Sequence, residues 1–440
     1  MRYAATGSAT VLLLTVLLGG AAVAADPQTI DWAKIPPKSL TLFYPGESTY
    51  NWLVGPEHKG ARSVRQGKAC VACHERDEAD LGNIIVKGGH VEPAPIVGKN
   101  GVIPVSVQAA HDAEYLYFRF QWKTNLNREG RMHDYVRYDG KAWKWYGHDR
   151  NDKSVRTGQQ PPLYEDRFSI MLDDGKVPRF AQHGCWLTCH NGMRDTRNQV
   201  VGEPVKKHPI FSEARYDADI RKYLALTRTD ENASWDKTKP KDEIARLKAA
   251  GVFLDLMQWR ANRSGPVAMA DDGYVLEYRN FDDGRNPFSW NVDRRTMTPL
   301  FMFDAAKVGA RALRVEDIGN PMKPGSIIKG ENAVAFDPNA GWQEGDILPG
   351  RLLSRNDARG SAADNNAVYG VWKDSTYTLV WRRKLDTGHP GDDKVMKVGG
   401  QYTISFAIHD DNVTTRFHHV SFPMTLGVGI DADITAVTLK

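Results

Sequence analysis

Gly184-Cys185-Trp186-Leu187-Thr188-Cys189-His190-Asn191-Gly192-Met193 is the stretch around which this chain is organised. It holds two cysteines separated by three residues, with a histidine directly after the second. Upstream, Lys68-Ala69-Cys70-Val71-Ala72-Cys73-His74 has the same arrangement with two residues between the cysteines. This Cys-x-x-Cys-His pattern is the signature of covalent c-type haem attachment. The two motifs use all four cysteines of the chain.

The chemistry of the pattern explains both residue types. Each cysteine adds to one vinyl group of the haem, and the histidine reaches the iron as its proximal ligand. The second motif has one extra residue, so its loop must bulge to keep both sulfurs at the two vinyl positions. We therefore predict two covalent haem c groups. The attachment and proximal residues are Cys70, Cys73 and His74 for the first, and Cys185, Cys189 and His190 for the second.

Three other interpretations of the cysteines compete with haem attachment. They are two structural disulfides, a zinc site built from the two cysteine pairs, and a dithiol redox motif. None of the three explains why a histidine follows each pair, at His74 and His190.

The sixth iron ligands must come from the remaining histidines and methionines. For the first haem we favour His58, which lies in a Gly- and Pro-rich loop close upstream and can fold back over the ring. His90 is the alternative. The candidates for the second haem are Met193, Met257, His183 and His419.

Residues 1–25 have the pattern of a secretory signal peptide. Met1-Arg2 supplies positive charge, Val11–Leu18 is an apolar run, and Ala21–Ala25 offers small residues at a cleavage site. The run is shorter than the roughly 20 residues of a membrane span, so we expect a soluble periplasmic protein that does not cross the membrane. A net charge of +4 over 440 residues is mild, which disfavours nucleic-acid binding.

The rest of the chain predicts a mainly β protein. Residues 26–97 are rich in Pro and Gly and predict an irregular haem-bearing arm. From residue 98 to 440, apolar side chains alternate with polar ones, which predicts an antiparallel β-sandwich carrying haem. Glu213–Leu226 and Lys241–Ala250 have helical character within an insertion at about 203–250. Predicted strands include Tyr115–Trp122, Arg167–Leu172, residues 377–381, residues 402–408 and Ile434–Leu439.

Acidic pairs occur at Asp271-Asp272, Asp282-Asp283 and Asp410-Asp411. Such pairs can bind calcium, but none of these has the ligand spacing of an EF-hand loop. We therefore interpret them as turn residues. The chain also has no Gly-rich phosphate loop and no zinc-protease helix motif.

Three stretches together resemble the haem-binding domain of the ethylbenzene dehydrogenase γ-subunit family, which also occurs in dimethylsulfoxide-reductase-type systems. They are Val105–Asp112 followed by Tyr115–Trp122, Asp166–Phe168 leading to Gly184–His190, and Phe406–Asp410 leading to Arg416–Pro423. The similarity covers about residues 98–440.

The resemblance implies a fold, a cofactor and a partner. In that family the domain is a β-sandwich that holds one haem b through Met and Lys, and it exchanges electrons with the iron–sulfur subunit of a molybdenum enzyme. This chain departs from the pattern by carrying covalent motifs. It is most similar to the c-type branch of the family, in which the sandwich carries a Cys-x-x-x-Cys-His haem and an N-terminal extension carries another.

The sequence therefore predicts a periplasmic dihaem c-type cytochrome that transfers electrons, and an electron-transfer protein or oxidoreductase subunit is favoured over a stand-alone enzyme. The expected redox partner is a membrane cytochrome b, a multihaem cytochrome, a soluble cytochrome or a molybdoenzyme subunit. One alternative is a haem enzyme or sensor with an open iron position for a small oxyanion or peroxide. Another is a β-sandwich module that binds sugars.

Overall fold

The computed structural model describes residues 24–125, 130, 134–211, 218–230, 232–320, 322–360 and 365–439. The predicted signal peptide, residues 1–25, therefore lies almost wholly outside the described residues. Within the described ranges, no helix is both long and apolar enough to cross a membrane.

Short strands make up most of the regular structure. They are β1 (Lys38–Phe43), β2 (Val102–His111), β3 (Tyr115–Lys123), β4 (Tyr135–Tyr138), β5 (Trp143–Tyr146), β6 (Arg167–Asp173), β7 (Leu254–Arg260), β8 (Gly273–Val275), β9 (Arg279–Phe281), β10 (Gly284–Arg285), β11 (Phe288–Trp290), β12 (Phe301–Phe303), β13 (Ile327–Ile328), β14 (Ala333–Ala335), β15 (Ile347–Pro349), β16 (Arg351–Leu353), β17 (Arg359–Gly360), β18 (Val368–Lys373), β19 (Thr376–Lys384), β20 (Gln401–His409), β21 (His419–Val420), β22 (Met424–Val428) and β23 (Ile434–Thr438).

Helices are fewer, and most have a single turn. The α-helices are α1 (Tyr50–Leu53), α2 (Ala61–Arg65), α3 (Glu78–Ile85), α4 (Lys153–Arg156), α5 (Phe180–His183), α6 (Glu203–Lys206), α7 (Lys241–Ala249) and α8 (Ala305–Val308). Turns of 3-10 helix cover Trp32–Lys34, Cys70–Ala72, Gly184–Thr188, Ala225–Thr227, Gly265–Val267 and Val315–Asp317.

Thirteen strands form one continuous sheet in which six strands close a ring. The open path runs β18-β19-β3-β2-β1-β21-β20-β6-β7-β8-β9. β22 pairs with β20 and β23, and β23 pairs back with β2, so β2, β1, β21, β20, β22 and β23 make a barrel. The mainly β prediction is confirmed. The strands pair as a barrel with a continuing sheet, whereas the sequence predicted two stacked sheets. Alternation identifies half-buried strands but does not say which strands are neighbours.

The main core is built from the apolar faces of these strands. Leu116, Phe118, Phe120 and Trp122 of β3 are all at most 2% exposed, as their alternation predicts. The ring of Phe120 lies 4.2 Å from that of Phe168 on β6, measured between centroids. Burying each of these large side chains stabilises the fold by roughly 1.5–3 kcal/mol.

The N-terminal segment is tied into the barrel. β1 lies inside the predicted arm, yet it pairs with β2 on one side and with β21 on the other, through Phe43 and Val420. Beyond β1, the fully buried carboxylate of Glu92 accepts from the guanidinium of Arg416 at 3.1 Å. The segment before residue 98 therefore packs as part of the β domain.

The predicted helix Glu213–Leu226 is wrong over the residues that the structure describes. Residues 218–224 have no helical turn, and a 3-10 turn follows at Ala225–Thr227. The backbone N–H of Tyr223 donates to the Thr188 carbonyl, and that of Leu224 donates to Leu276. These tertiary hydrogen bonds override the local helix propensity. The second predicted helix is confirmed as α7.

A smaller cluster of short strands packs beside the main sheet. β15, β4 and β5 form one three-stranded sheet, and β11, β16 and β13 form another. Their side chains share a separate core that includes Tyr135, Val136, Leu313 and Ile347.

Candidate functional site

The first cysteine motif lies on the surface of the N-terminal segment. Cys70–Ala72 form a 3-10 turn, and the N–H groups of Cys73 and His74 donate to the Cys70 carbonyl. Cys70 is half-buried and Cys73 is exposed. The His74 side chain is 32% exposed. The turn thus places both thiols and the histidine side by side near solvent.

His58 lies opposite His74. Their ring centroids are 6.3 Å apart, and the ring planes differ by 27°. Two imidazoles that bind one metal from opposite sides, with metal–nitrogen bonds of about 2 Å, have centroids about 6 Å apart. The pair therefore fits the two axial positions of one haem iron beside Cys70 and Cys73.

The hydrogen bonding of His58 leaves the correct nitrogen for a metal. Its Nδ1 is 2.9 Å from the Leu53 carbonyl oxygen, which can only accept, so Nδ1 carries the proton and Nε2 keeps its lone pair. This is the usual way in which a protein orients a ligating histidine. Burial, and then the neighbouring His74, lower the pKa of His58, which keeps the ring neutral.

The second motif forms a buried turn. Gly184–Thr188 are 3-10 helical, and the Cys189 N–H donates to the Trp186 carbonyl. Gly184 has a φ of +55°, and a Cβ there would lie 3.0 Å from the Pro423 side chain. Glycine is needed at this position for the backbone conformation and the close approach. The 3-10 segment has five residues here and three in the first motif, and the longer segment accommodates the third residue between the cysteines.

A cavity of about 390 Å³ lies next to this turn. Cys185, Cys189 and Met193 line it. Lys222 also lines it, and its Nζ lies 3.6 Å from the Cys189 sulfur. The opposite wall is the face of β6, β7 and β20 that points away from the main core, with Ser169, Met171, Leu256, Gln258, Ser405 and Ala407.

Arginines dominate the polar part of the cavity wall. Arg260 forms a two-point ion pair with Asp271 at 2.7 and 2.9 Å, and Arg279 lies 3.7 Å from the same carboxylate. The remaining pairs are Arg263 with Glu165 at 2.6 Å, Arg167 with Glu165 at 3.3 Å, and Arg351 with Asp134 at 2.7 Å. Five guanidinium groups thus share three carboxylates. Burial lowers the pKa of Arg279 to about 9 and that of Arg167 to about 10, whereas the pKa of Arg263 is raised despite its burial, chiefly by Glu165.

His190 is buried behind the cavity wall and does not line it. Its Nε2 is 2.9 Å from the Leu187 carbonyl oxygen, and its ring stacks on Tyr223 at 4.0 Å and 6°. Its backbone N–H donates to the Met193 sulfur at 3.1 Å. Burial lowers the pKa of His190 to about 3, so the imidazole is neutral. Binding an iron in the cavity would require Nε2 to leave the Leu187 carbonyl.

The other predicted ligands lie in different places. His183 directs Nε2 at the Lys68 carbonyl, 3.2 Å away, next to the first motif. Met257 packs in the main core, on the opposite face of β7 from the cavity. His419 directs Nε2 at the Asn100 carbonyl, 2.7 Å away, and is not part of the cavity wall. His90 has an 80% exposed side chain.

Three histidines that the sequence reasoning missed line the cavity, namely His148, His409 and His418. The Nδ1 of His418 and the Nε2 of His409 lie 2.6 and 3.0 Å from the Thr415 carbonyl oxygen. Both must donate to it, which leaves His418 Nε2 and His409 Nδ1 as lone-pair nitrogens. Burial lowers the pKa of His418 to about 3 and that of His409 well below its usual range. Ser405 and His409 alternate with core residues along β20, so both lie on the cavity face. This alternation is the sequence signal that could have identified His409.

Aromatic rings connect the two motifs. Phe422 lies 6.5 Å from His74 and 5.6 Å from Trp186, measured between ring centroids. Phe43 stacks on Trp186 at 5.6 Å. Cys70 packs against the same apolar cluster, which also contains Cys185. The two motifs are therefore neighbours in space.

The thiols do not fit the other cysteine chemistries. All four cysteines are free, so the two disulfides are not formed. In the described part of the chain, the side chains that cluster with metal-ligand spacing include no cysteine and no histidine, so neither cysteine pair forms a zinc site there. Burial raises the pKa of Cys70 to about 11 and that of Cys185 to about 12. Redox-active dithiols have lowered pKa values instead.

Comparison with known proteins identifies the family of this chain. Cytochrome c-552 of Stutzerimonas stutzeri is 27% identical over 419 residues, which cover 94% of this chain and 92% of that protein. Cytochrome c-551 of Rhodocyclus tenuis is 33% identical over 188 residues, which cover 42% of this chain and 64% of that protein. The family model described as ethylbenzene dehydrogenase matches residues 29–421, a range that includes both cysteine motifs. This match covers most of the chain, which therefore belongs to the ethylbenzene dehydrogenase family.

Proposed function

We propose that this protein is a periplasmic dihaem c-type cytochrome that transfers electrons. The observation that carries the proposal is the His58–His74 pair, whose 6.3 Å centroid separation suits two axial ligands of one iron beside two cysteines. Haem supplies the redox chemistry. The chain contributes the axial ligands, the burial and the orientation of each group.

At the first site, Cys70 and Cys73 form the thioethers, His74 is the proximal ligand and His58 the sixth ligand. Two imidazoles leave no iron position open to a substrate, which favours electron transfer over catalysis. Val71 is 40% exposed and Cys73 is exposed, so this edge of the group is accessible to a partner protein. The partner is a redox protein: a membrane cytochrome b, a multihaem cytochrome, a soluble cytochrome or a molybdoenzyme subunit.

At the second site, Cys185 and Cys189 would hold the group, and His190 would bind its iron through Nε2 in place of the Leu187 carbonyl contact. His418 is the sixth ligand, because its Nδ1 is fixed on Thr415 and its Nε2 is free to bind. The excess of guanidinium groups over carboxylates in the cavity wall fits the two haem propionates. Phe422 and Trp186 fill the space between the two sites and keep them close.

Covalent attachment is the first test. We expect the purified holoprotein to retain two haems per chain through acid–acetone extraction and to stain for haem on denaturing gels. Cys70→Ala and Cys185→Ala should each shift the reduced α-band of one haem toward the position of a vinyl-bearing haem and leave the other unchanged. Loss of haem on extraction, or a single haem per chain, would contradict the proposal.

The cavity also supports a second candidate function. Its arginine-rich wall could hold a small oxyanion if the second iron kept an open position. Cyanide or carbon monoxide added to the oxidised or reduced protein separates the two functions. Two unresponsive irons support electron transfer, whereas rapid binding at one iron supports an enzyme or sensor.

A further inference from the structure

Four aspartates from separate segments meet at the β7–β9 edge of the large sheet. Asp255 lies in β7, Asp272 just before β8, Asp282 just after β9 and Asp393 in the loop between β19 and β20. All four are buried, with 0%, 3%, 7% and 5% exposure. One carboxylate oxygen from each of Asp255, Asp272 and Asp393 lies within 4.8 Å of the other two. Asp282 is close enough to interact electrostatically with the group.

The positive charge near this cluster is too small to neutralise it. Arg383 Nη2 lies 2.6 Å from Asp255 and 3.8 Å from Asp393. The next cation, Lys394, directs its Nζ to Asp174 at 2.6 Å and Asp173 at 3.3 Å, outside the cluster. One guanidinium thus faces four buried carboxylates, and burying uncompensated carboxylates is strongly unfavourable.

Several carboxylate oxygens in the cluster have no donor. Asp255 Oδ2 accepts from Arg383 and from the Lys394 backbone N–H. Its Oδ1 is buried and has no hydrogen-bond partner among the described residues. Oδ1 of Asp282 is likewise buried with no hydrogen-bond partner among the described residues. Oδ1 of Asp393 accepts no hydrogen bond there and has only an ion pair with Arg383 at 3.8 Å. Buried polar atoms are nearly always satisfied, so these oxygens indicate a missing ligand.

We propose that Asp255, Asp272 and Asp393 bind one Ca²⁺, with Asp282 completing the negative shell. Calcium takes several oxygen ligands at 2.3–2.6 Å, so two oxygens on one ion lie at most about 5 Å apart, as these do. Mg²⁺ usually keeps most of its waters and binds one or two carboxylates, which fits this site less well. The ion ties the loop after β19 to β7 and β8.

Burial and the crowding of carboxyl groups also raise pKa values in this cluster. Burial, and then neighbouring carboxylates, raise the pKa of Asp272 well above its usual range and that of Asp282 to about 10. A divalent cation would stabilise the ionised carboxylates. Asp272 and Asp282 belong to acidic pairs that the sequence led us to interpret as turn residues, and their spacing could not reveal the site because Asp255 and Asp393 come from distant segments.

Metal content and thermal stability of the wild-type holoprotein test the proposal. After dialysis against metal-free buffer, we expect about one calcium per chain by elemental analysis. EGTA should lower the thermal midpoint by several degrees, and Ca²⁺ should restore it where Mg²⁺ does not. Equal midpoints in EGTA and Ca²⁺ with no stoichiometric calcium, or full restoration by Mg²⁺, would overturn the assignment.

Variants locate the ion. Asp272→Asn and Asp393→Asn should abolish the calcium-dependent shift. The matched control is Asp346→Asn, because Asp346 is also buried and ion-paired, with Arg314 at 3.1 Å, but lies outside the cluster. It should keep the full calcium response. If the cluster variants do not fold, the wild-type metal content and chelator response still decide the question.

Discussion

The imidazoles of His58 and His74 face each other at 6.3 Å, although the two residues belong to different turns of the N-terminal segment. His58 is held by its hydrogen bond to Leu53, and His74 is positioned by its N–H bond to Cys70. The His58 ring is thus held by a contact that does not involve His74. A small displacement of the His58 ring should therefore change the 6.3 Å separation of the two imidazoles.

Replacing His58 should open the first iron. If His58 is the sixth ligand, as proposed, His58→Ala vacates that position, so we expect the reduced protein to bind carbon monoxide with a clear Soret shift. His90→Ala is the control, since His90 has an 80% exposed side chain and should leave the spectrum unchanged. If the His90 variant binds carbon monoxide and the His58 variant does not, the ligand assignment is wrong.

Gly60→Ala should weaken the same bond without removing the ligand. A Cβ at Gly60 would lie 2.9 Å from Cε1 of His58, closer than real contacts allow, so the ring must move. We expect partial carbon monoxide binding, smaller than in His58→Ala. Gly325→Ala provides the comparison, because a Cβ there meets nothing within 4 Å. Equal spectra for the two glycine variants would show that the ring tolerates displacement.

Stability should fall as the solution becomes acidic. Without haem, burial lowers the pKa values of His190 and His418 to about 3 in the folded chain, below the unfolded value of about 6.5, and a histidine bound to iron likewise takes up no proton. Between these values the unfolded chain binds protons that the folded chain does not, so the free energy of unfolding decreases as pH falls. Each histidine contributes a slope of up to about 1.4 kcal/mol per pH unit.

Urea unfolding at pH 7, 6 and 5 measures this slope. His418→Gln should reduce the pH dependence of the unfolding free energy by the contribution of one histidine, up to about 1.4 kcal/mol per pH unit. His389→Gln, at an exposed position, should leave it unchanged. A wild-type free energy that is constant over this range would rule out neutral buried histidines.

His190→Ala should destabilise the β domain more than His74→Ala does. The buried His190 ring stacks on Tyr223 at 4.0 Å, and its loss leaves a cavity worth about 3 kcal/mol. His74 is partly exposed, so its removal should cost the β domain less than about 1 kcal/mol. Scanning calorimetry compares the two. Equal small effects would mean that the second motif is peripheral to the fold.

Much of the fold could be predicted from periodicity. Tyr115–Trp122 and Arg167–Leu172 alternate because one face is buried, and both are strands in the structure. The barrel could not be predicted, because it depends on a parallel pairing of β23 with β2 and on β1 joining from the N-terminal segment. Long-range partners leave no local signal.

The candidate site, like the fold, could be predicted only in part from the sequence. The cysteine motifs and His58 follow from spacing along the chain, and the structure brings His58 to His74. The cavity wall depends on which face of a strand points inward. Alternation places Met257 on the core side of β7 and His409 on the cavity side of β20, so this wall was partly readable from the sequence. The position of Lys222 was not, since its segment is fixed by tertiary hydrogen bonds.

The pairing of Phe43 with Val420 has a consequence for the order of folding. These residues lie near opposite ends of the chain, so the barrel cannot close until nearly all of the polypeptide has been synthesised. Closure between such distant segments is intrinsically slow. Both cysteine motifs lie between the two strands in sequence, so the segments that carry them are complete before this seam can form.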